Sequence, residues 1–151
     1  MKIFVTVGTT PFDRLIESLD LVLIEDVEFI FQISSGHYKP KNHPFFDFSS
    51  DIEKYYADAD FIITHAGAGS IYRLLELDKK MLVVPNYDRF DNHQSEISKF
   101  VSKNSFALSC ENLNFIEKDI QNLLRFSPEK YHKENFFKAE QIIQLIQGSY
   151  T

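Results

Sequence analysis

Apolar residues along this chain fall into two rhythms. Residues 2–7, 27–34, 61–64 and 81–84 are short, almost continuous apolar runs rich in Ile, Val and Phe, which predicts strands buried on both faces. Between them, apolar residues recur at three- and four-residue spacing, as in Phe12, Leu15, Ile16 and Leu19, or Ile71, Leu74 and Leu75. That spacing predicts helices with one buried face. Thr10, Pro11 and Asp13 read as the cap, first position and first-turn acid of the first helix. Residues 35–44 carry Gly36 and two prolines and predict a loop. Residues 45–48 predict a short strand, 51–58 a short helix capped by Ser50 or Asp51, and 106–109 an edge strand. Asp91 caps a helix to about residue 103, and 113–126 and 131–147 predict two amphipathic helices. Strands alternating with helices, with no repeat or linker, imply a single α/β domain built on a doubly wound, mostly parallel sheet.

Ligands of such sheets lie outside the carboxyl ends of the strands. Three segments follow predicted strands and converge on that edge: Gly8-Thr9-Thr10, the turn His65-Ala66-Gly67-Ala68-Gly69-Ser70, and residues 85–91. In the second, two glycines in three residues let a ligand approach the backbone, because no Cβ intervenes. The helix that follows directs free N–H groups and its positive dipole end at the same point, which suits a diphosphate. Side chains at Gly67 or Gly69 are expected to fill the diphosphate's place. Gly8-Thr9-Thr10 offers a similar grip with two hydroxyls, but Asp13 would repel a phosphate unless it closes a capping box on its own backbone.

Glu76 falls six residues into a helix starting near Ser70, about 9 Å along its axis. A carboxylate there accepts hydrogen bonds from the vicinal hydroxyls of a ribose; the alternative is a solvated helix residue. Asp91-Asn92-His93-Gln94 offers four polar side chains behind Pro85, either a capping box or a reader of sugar hydroxyls.

Other chemistries lack their spacing. Tyr72 stands where a dinucleotide fingerprint needs its third glycine, and no Gly-Lys-Ser/Thr is present. The five histidines show no metal-ligand spacing, so no metal is expected, and no serine sits on a nucleophile elbow. Asp58-Ala59-Asp60 imitates a metal-holding Asp-x-Asp, but at the start of a strand and hence on the opposite edge. The chain has 151 residues, a formal charge of −6 and a pI near 5.3, which weighs against nucleic acid. Cys110 is the one cysteine, in keeping with a reducing cytoplasm, and no apolar run approaches the ~20 residues of a membrane span. Fifteen Phe against no Trp, with pairs at Phe45-Phe46 and Phe136-Phe137, are expected to go mostly to the core, with some left for a partner-facing patch.

Residues 7–16, 65–70 with Leu75-Glu76-Leu77, and Val84-Pro85 followed by Asp91-Asn92-His93-Gln94 together resemble glycosyltransferase family 28 over most of residues 1–104. The likeness is to its C-terminal, donor-binding half as a free-standing subunit. Such subunits occur in the eukaryotic dolichol-diphosphate-N-acetylglucosamine transferase and in bacterial capsular and exopolysaccharide transferases of the E type. The resemblance implies the Rossmann-like C-terminal half of a GT-B enzyme that binds a UDP-sugar with neither metal nor cofactor. It places Gly8, Thr9, Thr10, Gly67, Ala68, Gly69 and Ser70 on the diphosphate, Glu76 on the ribose and Phe48-Ser49 on the uracil. Asp91, Asn92, His93 and Gln94 then contact the sugar. Met1 opens directly onto the first strand, so the half with acceptor site, membrane contact and catalytic base is expected on a membrane-anchored partner subunit. His65 is an outside candidate for a direct catalytic role, and residues 131–147 for docking that partner. The acceptor implied is a polyprenyl-diphosphate-linked sugar, and the location the inner face of the membrane, peripheral through the partner. A non-catalytic UDP-sugar scaffold shares every motif and remains the alternative.

Overall fold

The computed structural model describes residues 1–88 and 93–133. Its strands are β1 (Lys2–Thr6), β2 (Glu28–Gln32), β3 (Phe45–Phe46), β4 (Phe61–His65), β5 (Lys80–Val84) and β6 (Leu108–Ser109). They form one sheet in the order β3-β2-β1-β4-β5-β6, every pairing parallel. The helices are α1 (Asp13–Asp20), α2 (Ile52–Asp58), α3 (Ala68–Glu76), α4 (His93–Lys103) and α5 (Ile116–Arg125), with a 3-10 turn at Leu113–Phe115.

Alternation along the strands divides the core. Ile3, Val5, Ile63, Leu82 and Val84 pack with Leu15, Ile16 and Leu19 of α1 and Ile120 and Leu123 of α5. Phe4, Ile62, Met81 and Val83 point the other way, to Tyr56, Ile71, Leu74 and Val101 of α2, α3 and α4. Both sheet faces are covered, which is why the strands read as continuous apolar runs. The strand order reverses between β1 and β4. Thr6 pairs with Thr64 there, so Gly8 and the His65–Ser70 turn emerge side by side.

Several element starts differ from expectation. Helix α1 begins at Asp13 rather than after Thr10, because the Phe12 side chain, at the N-cap, is drawn into the core. Asp13 closes no box on its own backbone. Its Oδ2 accepts from the His37 N–H at 3.1 Å and ties α1 to the loop after β2. Asp51 is the N-cap of α2, but neither it nor Ser50 supplies a capping bond; the Ser49 hydroxyl accepts from the Asp51 N–H instead, at 3.1 Å. Residues 131–133 are not helical, and the rest of the expected 131–147 helix lies outside the described residues. Asp58 and Asp60 do sit at the amino edge, where they bind the Lys2 ammonium and backbone N–H at 2.9 and 2.8 Å.

The 33–44 loop is fastened by Asp20, which is fully buried. Tyr38 OH and Lys41 N–H each donate to Oδ2 at 2.8 Å, and Asn42 N–H donates to Oδ1 at 2.9 Å. Burial alone would raise the Asp20 carboxyl; the bonds from Lys41, Asn42 and Tyr38 outweigh it and hold it below its ordinary 3.8. A depressed folded value stabilises the fold above the unfolded value, and that contribution disappears as pH falls through the folded one. Asp20→Asn should therefore lower stability by about 1–3 kcal/mol at pH 7 in urea unfolding. It should also lose less stability than wild type between pH 5 and pH 3; a parallel acid limb would contradict this assignment.

Candidate functional site

The carboxyl edge at the reversal point is built around His65, the last residue of β4. Gly8 has a φ of 64°, in the left-handed region, and a Cβ there would stand 2.8 Å from His65 Cε1. A Cβ on Gly67 would fall inside the envelope of the same ring at Nε2. Side chains at either glycine would have to displace the His65 ring that lies between them, and the two mouths do converge. For Gly67 this corrects the expected reason: its missing side chain makes room for His65, not only for a ligand. A Cβ on Gly69, by contrast, meets no protein atom within 4 Å.

Helix α3 begins at Ala68, two residues earlier than the sequence suggests, with Gly67 as an N-cap that supplies no side-chain bond. Its first internal bond runs from the Ile71 N–H to the Gly67 carbonyl at 3.0 Å. The N–H groups of Ala68, Gly69 and Ser70 precede that bond and face outward from the uncapped end. Beside them lies a cavity of ≈ 230 Å³ lined by Gly8, Thr9, Gln32, Phe48, Ser49, Ile52, Tyr56 and Ser70 among others. Among the described residues, no lysine or arginine lines it. Phe48 is 60% exposed, which leaves an aromatic face open at its rim. Burial pushes the Tyr56 phenol up, against the hydrogen bond it shares with Ser70, so its hydroxyl stays protonated as a donor at neutral pH.

Sequence reasoning missed Gln32. Its Oε1 accepts from the Thr6 hydroxyl at 2.6 Å, and its Nε2 donates to the carbonyls of Gly8 and Asp47 at 2.9 and 2.8 Å. One buried amide thereby joins the ends of β1, β2 and β3 and fixes the cavity's walls. The only signal was a lone amide closing an apolar strand. Gln94 is also reassigned, because its Oε1 accepts from the Asn86 N–H at 2.9 Å, pinning the loop after β5. His93 opens α4, while Asp91 and Asn92 lie outside the described residues.

Glu76 is placed differently. It ends α3, eight residues past the helix start and about 12 Å along the axis. Its Oε1 accepts from Lys133 Nζ at 2.6 Å, and Arg73 stands 3.9 Å from Oε2. The hydrogen bond and charge of Lys133 lower its carboxyl below the ordinary range. Arg73 in turn grips Glu53 of α2 through two bonds, at 2.8 and 3.0 Å. Among the described residues, no group of three His, Cys, Asp or Glu could hold a metal ion, and no helix is long and apolar enough to cross a membrane.

Reversed strand order, glycines at the two turns and an uncapped helix end define a doubly wound α/β domain with backbone N–H groups open at its carboxyl edge. The chain belongs to the family described as "Glycosyltransferase family 28 C-terminal domain", whose family model matches residues 2–146. It is similar to the UDP-N-acetylglucosamine transferase subunit ALG13 of Homo sapiens, 36% identical over 122 residues that cover 72% of this chain and 11% of that protein. The subunit of the same name from Debaryomyces hansenii is 32% identical over 106 residues, 66% of this chain and 48% of that protein. This chain therefore spans less than half of either relative. The NMR structure of ALG13 superposes with a TM-score of 0.62 at 20% identity, over 93% of this chain and 94% of that one. MurG of Acinetobacter baumannii gives 0.63 at 20% identity, over 82% of this chain and 41% of that one. These likenesses show the fold, the C-terminal half of a GT-B glycosyltransferase.

The glycines make opposite predictions for stability. Gly69→Ala should raise the melting temperature slightly, since alanine in a helix is favoured over glycine by up to about 1 kcal/mol. Gly67→Ala should cost about 1–3 kcal/mol by overpacking against His65. Equal effects of the two in thermal unfolding would contradict the wedge.

Proposed function

We propose that this chain is the donor-binding subunit of an inverting two-component glycosyltransferase that uses a UDP-sugar. The observation that carries the reading is the uncapped start of α3, open at Gly69 beside the cavity, in a family 28 domain. The uracil would stack at Phe48-Ser49, and the diphosphate would accept from Thr9, Thr10 and the N–H groups of Ala68, Gly69 and Ser70. As the bond to the anomeric carbon breaks, negative charge grows on the diphosphate where these donors already point. The attacking hydroxyl would lose its proton to a base on a membrane-anchored partner. The similarity to UDP-N-acetylglucosamine transferase subunits favours N-acetylglucosamine as the sugar. The polyprenyl-diphosphate acceptor, the inner membrane face and a place in capsular or exopolysaccharide synthesis are the finer part of this proposal. They are supported by the resemblance to free-standing bacterial subunits rather than by those names.

Gly69→Val should remain folded yet weaken UDP at least tenfold in calorimetry; unchanged affinity would remove α3 from the diphosphate. Sugar transfer should appear only when the partner is co-expressed. UDP-sugar binding without transfer in that complex would favour the scaffold reading.

Glu76 enters the proposal as a ribose acceptor that must exchange Lys133 for the two hydroxyls. Glu76→Ala should then weaken UDP more than 2′,3′-dideoxy-UDP. Equal losses on both ligands would confine Glu76 to its ion pair.

A further inference from the structure

Gln32 is the last residue of β2 and the register partner of Thr6. Phe31 packs on the α1 side of the sheet, so Gln32 and Thr6 face the other side, where both line the cavity. Both are buried. The carbonyls of Gly8 and Asp47 can only accept, which fixes the orientation of the amide. Both Nε2 protons go to those carbonyls, and Oε1 takes the Thr6 hydroxyl. Two further bonds close the network. The Gly8 N–H donates to Thr6 Oγ1 at 3.3 Å, and the Ser34 N–H donates to the same Asp47 carbonyl at 3.1 Å.

The network stands where the backbone ladder thins. The Val7 N–H reaches the Gln32 carbonyl at 3.4 Å, and Gly8 then leaves the sheet at a φ of 64°. Strand β3 has two residues, and Asp47 follows it directly. The segments beyond, Thr9-Thr10 on one wall and Phe48-Ser49 on the other, thus leave the sheet from carbonyls that share one amide. Inside a protein such a bonded amide is a stiff link, because breaking it orphans two buried carbonyls. A ligand made of two joined groups binds more tightly than the groups apart only when the protein already holds both grips at the matching span.

We propose that Gln32 is a positioning residue for the donor: it sets the span between the wall that takes the nucleoside, at Phe48-Ser49, and the wall that takes the diphosphate, at Thr9-Thr10. This rests on the donor-binding reading. Gln32 acts through the two segments and touches no ligand atom. Losing it therefore costs the affinity gained by joining uridine to the diphosphate, and leaves each part's own affinity in place.

The full chain and its Gln32→Met and Thr6→Val variants are titrated with UDP, with uridine and with inorganic pyrophosphate, each up to millimolar concentration, and followed by amide chemical shifts. Melting temperatures show which variants are folded. Thr6→Val keeps both Nε2 bonds and removes only the hydroxyl, so it serves if Gln32→Met does not fold. Gln32→Met should weaken UDP by roughly 5- to 30-fold and leave uridine and pyrophosphate within about twofold of wild type. Thr6→Val should show a smaller loss in the same pattern. Equal losses on all three ligands would make Gln32 a structural residue and overturn the coupling. A loss on uridine alone, which marks a direct contact with the nucleoside, overturns it too, as does unchanged UDP affinity. So does wild-type chain that holds UDP no more tightly than uridine, because there is then no gain to couple. Failure of all three ligands to bind wild type overturns the donor reading itself, and the coupling with it.

Discussion

The carboxyl edge of this sheet is organised by one steric fact, the His65 ring held between two backbones that carry no side chains. Parallel pairing brings the ends of β1 and β4 together, Thr6 beside Thr64. The ring then fills the space that Cβ atoms at Gly8 and Gly67 would need. Beside this wedge Gly8 turns in the left-handed region, and the N–H groups of Ala68, Gly69 and Ser70 precede the first bond of α3. Gln32 completes the frame by tying the loop after β1 to the one after β3.

That frame explains how a chain of formal charge −6 can present a place for an anion. Among the described residues, Arg14 is engaged with Asp88 and Arg73 with Glu53. In the proposed site, attraction for a diphosphate would come from oriented N–H dipoles and hydroxyls rather than from net charge. Such groups act at short range and need no reorganisation as charge develops.

The strands and the α/β alternation were legible because a sheet covered on both faces leaves continuous apolar runs. The glycine turns were legible because glycine there marks a close approach or a left-handed φ, although at Gly67 the close neighbour is the His65 ring. What stayed hidden were side-chain bonds between residues far apart in sequence. Phe12 overrode a Thr10-Pro11 helix start by burying its ring. Gln94 looked like half of a capping box but reaches the backbone of Asn86. Glu76 looked free for a ribose because Lys133, 57 residues on, gives no local signal. Gln32 had no pattern to announce it, since its partners Thr6, Gly8 and Asp47 lie 15 to 26 residues away on two other segments.

The account stands on a nucleoside diphosphate being held at the His65 wedge by backbone donors without a metal. Amide chemical shifts of the isotope-labelled chain, titrated with UDP in EDTA, test this directly. The account predicts saturable shifts centred on Thr9, Gly69 and Ser70 and reaching Phe48 and Ser49. Shifts confined to the amino edge of the sheet, or binding that vanishes in EDTA, would contradict it.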